Sequence, residues 1–109
     1  MDKISYEEFS KVEFKTGQII EAKAVEGSEK LIRMVVDFGK DGTKIVFSGI
    51  KRWYSPEELV NKKTVFVTNV MPKKIMGEES EAMIFGAEDE NTMSLLLPEK
   101  DIEKGSPVF

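Results

Sequence analysis

The stretch SPEELV, residues 55–60, has the residue chemistry of a helix start. Ser55 can cap the helix, Pro56 suits its first position, and Glu58 is the third helical residue, where acids are common. The helix must be short, because the polar residues 61–63 come before the next apolar alternation. One short helix in the middle of a chain that otherwise reads as strands decides which β fold is predicted.

Alternating apolar residues predict strands on both sides of this helix. The first strand begins at Phe14, and its even-numbered residues up to 24 share one face, opposite to Ile19. Gly17 within it indicates a bulge or a sharp bend. Ser5 with Glu8 has capping-box spacing and predicts a helical turn before this strand. The other predicted strands cover residues 31–38, 43–50, 64–70, 82–87 and 93–97.

The order is three strands, a short helix, and two or three further strands. This order predicts an all-β fold, a five-stranded Greek-key barrel of the OB type with a short plug helix and an N-terminal helical turn. A small sandwich is the rival fold. In the OB fold, strands two and three and the adjoining loops bind oligonucleotides. At 109 residues the chain is expected to be one domain, residues 1–109.

The composition makes catalysis improbable. The chain has no cysteine and no histidine, so it lacks thiolate nucleophiles, sulfur ligands for metals, the commonest general base and the commonest zinc ligand. The acids near residues 78–81 and 88–90 lack the spacing of a calcium loop. We therefore expect no catalytic residue, metal or cofactor, and a small hydrolase or isomerase is disfavoured. Without an apolar membrane segment or leader, a cytoplasmic protein is expected.

Charge is distributed unevenly along the chain. Residues 1–29 carry seven acids and four bases, residues 30–74 four acids and ten bases, and residues 75–109 nine acids and two bases. A basic middle between acidic ends indicates one surface for a polyanion, although a solvated mixed surface is the alternative. Seven bases fall on strand or loop positions that an OB fold uses, where they can pair with phosphates or simply solubilise exposed turns: Lys30, Arg33, Lys44, Lys51, Arg52, Lys73 and Lys74.

Several motifs, in order along nearly the whole chain, resemble one known family. They are FKTGQII (14–20), GSEKL (27–31), VDFG (36–39), SGI (48–50), YSPEELV (54–60), Asn69, PK (72–73) and GEESEAM (77–83). The family is the tRNA-binding domain found at the C-terminus, or as a separate beta subunit, of methionyl-tRNA synthetases, and in free-standing tRNA-binding proteins. The resemblance implies an OB fold, a homodimer, and binding of tRNA by its folded shape without catalysis. Ala82 departs from the glycine that the family often has there.

Four side chains have two interpretations each. In the resembling family, Ser80 and Met83 lie on the loop that contacts tRNA, whereas on their own they could be a turn hydroxyl and a core methionine. Asn69 can offer its amide to a nucleotide or cap a strand end. Trp53 can stack on a base or, like Tyr54, pack on the end of the barrel.

The resemblance implies a partner as well as a ligand. We expect the chain to hold tRNA for methionyl-tRNA synthetase, as its domain or subunit. The apolar tail, residues 107–109, is expected to lie in the homodimer interface. The alternative is a chaperone with the same fold that binds unfolded or export-bound polypeptides. Relatives of that kind lack the turn at residues 27–31, which favours tRNA.

Overall fold

The structure is a computed structural model that describes all residues, 1–109, and it confirms the barrel of the OB type. Strands dominate, and the two α-helices have four residues each. The elements are α1 (Tyr6–Phe9), β1 (Phe14–Ala24), β2 (Ile32–Asp37), a 3₁₀ turn (Gly39–Asp41), β3 (Thr43–Ser48), α2 (Pro56–Leu59), β4 (Lys63–Val67), β5 (Lys73–Ile75), β6 (Glu78–Ser80), β7 (Met83–Ile84), β8 (Gly86–Glu88), β9 (Met93–Leu95) and β10 (Pro107–Val108). Neither helix has the length or apolar character of a membrane span.

The main sheet has the order β3-β2-β1-β4-β7, with β10 added beside β1. All the pairs are antiparallel. The long strand β1 pairs with β4 through residues 14–18 and with β2 through residues 18–24, so it serves both halves of the barrel. The predicted five-stranded path is therefore present, and β10 is a sixth strand that the sequence did not indicate.

The prediction of which β1 residues share a face is wrong from Ile20 onward. The pairing with β2 skips Ile20, which is the extra residue of a β-bulge, so Ile19 is buried and Ile20 is exposed. Gly17 is not the bulge. A Cβ atom there would lie 2.7 Å from side-chain atoms of both Val36 and Phe38. Gly17 is needed because the barrel interior approaches the β1 backbone at that point.

Both predicted helix starts are confirmed with their capping boxes. The hydroxyl oxygens of Ser5 and Ser55 each accept a hydrogen bond from the backbone N–H of the glutamate three residues later. The carboxylate of that glutamate accepts a hydrogen bond from the backbone N–H of the serine. In α2, Leu59 is fully buried and plugs the barrel. Tyr54 packs against the core, and its hydroxyl accepts a hydrogen bond from Leu95 N–H at 3.0 Å. Trp53 packs there too, which confirms the packing interpretation for both aromatic residues.

The core is a single cluster inside the barrel, drawn from β1, β2, β3, β4, β9, α2 and the segments that adjoin them. Phe38 and Phe66 meet edge to face with ring centroids 5.3 Å apart. The cluster consists of Ile19, Ile32, Met34, Val36, Phe38, Val46, Ile50, Leu59, Phe66, Ala82 and Leu95. Met83 is not among them, so the alternative that it is a core methionine is wrong.

Two features differ from the predicted strands near the C-terminus. The predicted strand 82–87 is divided into β7, which pairs with β4, and β8, which pairs with β9. The tail is ordered by contacts within the chain, because Pro107 and Val108 pair with Lys15 and Phe14 of β1. Val108 is half-buried, whereas Pro107 and the last residue, Phe109, are exposed.

Candidate nucleic-acid interface

A hairpin that is absent from the predicted strands, β5–β6, lies beside the outer edge of β3. Its turn residues, Met76 and Gly77, both have positive φ (49° and 86°), as a type I′ turn requires. Lys73 lies opposite Ser80 in the hairpin, and Lys74 lies opposite Glu79. Because side chains alternate between faces, Lys73 and Lys74 point to opposite sides.

Side chains fasten this hairpin to β3. Phe47 N–H donates to Ser80 Oγ (3.0 Å), and Ile45 N–H donates to Glu81 Oε1 (2.9 Å). Glu81 N–H in turn donates to the Ile45 carbonyl (2.8 Å). These bonds occupy two amides of an otherwise open strand edge. They also fix the position of the chain just before Met83.

Between the hairpin and the end of β3 lies a half-open cleft of about 380 Å³, called here the Met83 cleft. Three of the predicted tRNA-binding residues, Lys73, Ser80 and Met83, line it. No acidic residue does. Its other lining residues are Phe47, Ser48, Gly49, Val70, Met71, Ile75 and Ile84.

The side chains of the cleft combine apolar surface with one available charge. Met71 and Met83 are 91% and 56% exposed, an unusual position for two large apolar side chains unless something packs on them. Thioether side chains adapt to flat or irregular partners. Lys73 is exposed and makes no ion pair. Ser80, by contrast, is only 7% exposed, and its hydroxyl oxygen already accepts a hydrogen bond from Phe47 N–H.

Three more predicted residues form what we call the basic cluster: Lys30, Lys51 and Arg52. The Lys51 N–H donates to the Lys30 carbonyl (3.1 Å), which brings the turn before β2 against the turn after β3. Gly49, two residues before Lys51, lines the cleft, so the basic cluster continues from it. The Arg52 guanidinium lies 5.5 Å from the centroid of the Trp53 ring, a cation–π contact.

Arg33 also lies on the outward face of β2 and β3, directly across from Phe47, but it is already paired. Its Nε and Nη2 donate to the two carboxylate oxygens of Glu78 at 2.7 and 2.9 Å. This pairing raises the pKa of Arg33 and lowers the pKa of Glu78. A phosphate on Arg33 would have to displace that carboxylate.

The remaining three predicted residues are not brought to the cleft. Lys44 is at the opposite end of β3 from Gly49, roughly 17 Å along the strand. Lys74 faces the other side of the hairpin, in a depression that also holds Glu79. Asn69 ties the N-terminal segment to the end of β4, since it accepts from Glu13 N–H (2.7 Å) and donates to the Lys11 carbonyl (2.6 Å).

Sequence reasoning missed the apolar half of the cleft. One signal was available: basic residues 73–74, a Met-Gly pair and acidic residues 78–79 read as a hairpin with opposite charges across from each other. Recognising it would have placed Ile75 on the same face as Lys73. No cluster of acidic side chains suited to hold a metal ion is present.

Comparison with known proteins agrees with the fold. Residues 14–107 match the model of the family described as "Putative tRNA binding domain". The methionine–tRNA ligase of Caldanaerobacter subterraneus subsp. tengcongensis is 47% identical over 108 residues, which is 99% of this chain but 17% of the ligase. The chain thus spans about a sixth of the length of the ligases it matches.

Two solved structures cover the whole fold. One is a MetRS related protein from Pyrococcus horikoshii, with a TM-score of 0.93, 34% identity and full coverage of both chains. The other is the chaperone CsaA from Bacillus anthracis str. Ames, with a TM-score of 0.90, 28% identity, and coverage of 99% of this chain and 100% of that one. On the family match and these relatives together, the chain belongs to the tRNA-binding domain family that is related to methionyl-tRNA synthetases.

Proposed function

We propose that this domain holds tRNA for methionyl-tRNA synthetase and does no chemistry of its own. The observation that carries the proposal is the placement of Lys73, unpaired and at the rim of an acid-free cleft, next to the basic cluster. Phosphate contacts of this kind supply affinity without reading sequence. A module that reads backbone and shape suits a partner that must accept many tRNAs.

Holding tRNA raises its effective concentration near a catalytic body. Tethering of two binding units can strengthen apparent affinity by about a hundredfold or more without any new contact. The domain itself needs only modest affinity for this purpose. Its net charge of −4 fits such a role, since ten of its sixteen bases lie within residues 30–74 and the acidic residues are mostly outside them.

The proposal predicts a change in KM rather than in kcat. Attached to a methionyl-tRNA synthetase body that lacks such a domain, the chain should lower the KM for tRNA by about tenfold or more and leave kcat nearly unchanged. Aminoacylation kinetics measure this, and a gel shift with total tRNA measures binding by the free domain. A gel shift without any KM effect would contradict the delivery role alone. Absence of a gel shift would contradict tRNA binding itself.

We also propose that the domain works as a homodimer. The N-terminal segment exposes Tyr6, Phe9 and Val12, and Phe109 projects from β10. Phe9 continues an aromatic row, with its ring 5.8 Å from Phe14. An apolar surface of this extent on a small domain is typical of a contact between copies.

Light scattering at micromolar concentration should therefore give about twice the 12.3 kDa mass of the chain. Replacing both Tyr6 and Phe109 by serine should shift the protein toward the monomer, because both side chains are exposed in the single chain and contribute little to its folding. A monomeric mass for the unaltered chain would contradict the dimer.

A polypeptide chaperone is the second candidate function. It is favoured by the structural match to the chaperone CsaA. Suppression of aggregation of a denatured protein, measured with the same preparation that is tested for tRNA binding, distinguishes the two functions.

A further inference from the structure

The Met83 cleft has a chemistry that phosphate contacts alone do not explain. Methionine thioethers and the Phe47 ring provide apolar surface, while Lys73 provides one positive charge. A purely electrostatic phosphate site would need neither the concave shape nor the exposed methionines. The volume, about 380 Å³, is at the small end of the range for small-molecule sites.

The charges around the hairpin favour an anionic occupant on this face only. The lining of the Met83 cleft contains no carboxylate, and Glu78, which shares this face of the hairpin with Ile75, is paired with Arg33. The depression on the other face contains Lys74 together with Glu79 and Glu81. The nearest further bases, in the basic cluster, extend the positive region beyond Gly49. A ligand with a flat apolar body and an adjoining negative charge fits this arrangement.

The structure argues against an extended polypeptide as the occupant. A peptide that adds to the β3 edge needs free backbone amides. The amides of Ile45 and Phe47 are already bonded to Glu81 and Ser80. The cleft therefore offers side-chain surface but little of the backbone pairing on which peptide recognition at a sheet edge depends.

We propose that the Met83 cleft receives one unstacked nucleobase of the bound RNA, with the adjoining phosphate on Lys73. The base packs its faces on Met71, Met83 and Phe47. Bases in a paired helix have covered faces and cannot enter, so the contact selects loops and other unpaired nucleotides. This inference rests on the proposed function and adds to it a preference for RNA with unstacked bases.

Filling the cleft tests the inference without removing any existing contact. A Cβ atom at Gly49 meets no atom within 4 Å, and its φ is not in the left-handed region, so a side chain is tolerated. Gly49→Leu should occupy the cleft and weaken binding to total tRNA by about tenfold, the order of one lost stacking contact. Binding to a fully paired RNA duplex should change less than about twofold, because a duplex makes only the backbone contacts. Gly49→Ala is the matched control and should bind both RNAs like the unaltered chain.

A second variant removes surface instead of adding it. Met83→Ala should also weaken tRNA binding and not duplex binding, and its melting temperature should be nearly unchanged because Met83 is largely exposed. If Gly49→Leu lowers the melting temperature, Met83→Ala is the variant that tests the inference. Equal weakening for tRNA and duplex in both variants, or no weakening at all, would overturn the inference. So would loss of chaperone activity with tRNA binding intact. If the unaltered chain binds no tRNA, the proposed function has failed instead.

Discussion

Alanine at position 105 should lower the free energy of unfolding by about 3 kcal/mol, whereas alanine at position 27 should lower it by about 1 kcal/mol. Both glycines have the same left-handed backbone, with φ of +83°. They differ in the space around them. A Cβ atom on Gly105 would lie 2.2 Å from the Phe38 carbonyl oxygen, whereas one on Gly27 would meet only the Met76 methyl at 3.9 Å.

Rotation of a side chain cannot relieve this contact, because the Phe38 oxygen belongs to the backbone and the Cβ atom of an alanine has a fixed position on its own backbone. Gly105 N–H donates to the Thr16 carbonyl at 2.7 Å, and Ser106 N–H donates to Thr16 Oγ1 at 3.0 Å. A shift away from Phe38 would therefore loosen the segment that positions β10 on β1. The substitution is expected to break these bonds or to strain the neighbouring turn.

Urea unfolding of the two variants and of the unaltered chain measures the difference. Because Gly27 shares the φ of Gly105, subtracting its effect leaves the cost of the close approach to Phe38. Equal losses in the two variants would mean that backbone conformation alone accounts for both, and the tail would then be less closely packed than the structure indicates.

The barrel could be predicted because its strongest signals are local. The capping boxes at Ser5 and Ser55, and the alternation in β2, depend on residues that are close in the sequence. The face of β1 could not be predicted beyond Ile19, because one bulged residue exchanges the inner and outer faces for the rest of the strand. Nothing within β1 itself fixes where the bulge falls; the pairing with β2 does.

The short strands were missed for a related reason. A strand of two or three residues, such as β5 or β10, has too few alternations to be recognised by periodicity. The pairing of Val108 with Phe14 joins the two ends of the chain, and no local pattern reports a contact at that separation. The tail was therefore interpreted as a dimer contact when it is first of all a strand.

The candidate site was partly predictable because charge is visible in sequence but ion pairing is not. Lys73 and Arg33 look alike as exposed bases, yet Arg33 is held by Glu78, 45 residues away along the chain. Lys73 and Lys74 are neighbours in sequence, and the pleat of the hairpin sends them to surfaces of opposite character. Sequence indicates which residues can bind phosphate, and the fold determines which of them are available.

The largest effect that we expect on binding comes from three lysines that make no ion pair within the chain. Replacing Lys30, Lys51 and Lys73 together by alanine should weaken tRNA binding on the order of a hundredfold at 0.1 M salt. Each lysine that meets a phosphate releases condensed counterions from the RNA, so the slope of log K against log salt should become shallower by about 2 to 3. Gel shifts across a salt series measure both quantities.

The control is a second triple variant with the same change in net charge. Lys3, Lys40 and Lys100 are exposed, make no ion pair and lie outside the cleft and the basic cluster. Their replacement by alanine should alter affinity by only a few-fold, through the weak long-range field, and leave the salt slope nearly unchanged. Equal losses in the two variants would show that tRNA responds to net charge alone, and the assignment of Lys73 and the basic cluster as phosphate contacts would then be wrong. Neither set makes ion pairs, and the first set loses one long hydrogen bond, from Lys51 Nζ to the Ser28 carbonyl at 3.4 Å. Thermal melts of both variants should therefore lie close to that of the unaltered chain, and a loss of binding confined to the first set then reports contact with RNA rather than damage to the fold.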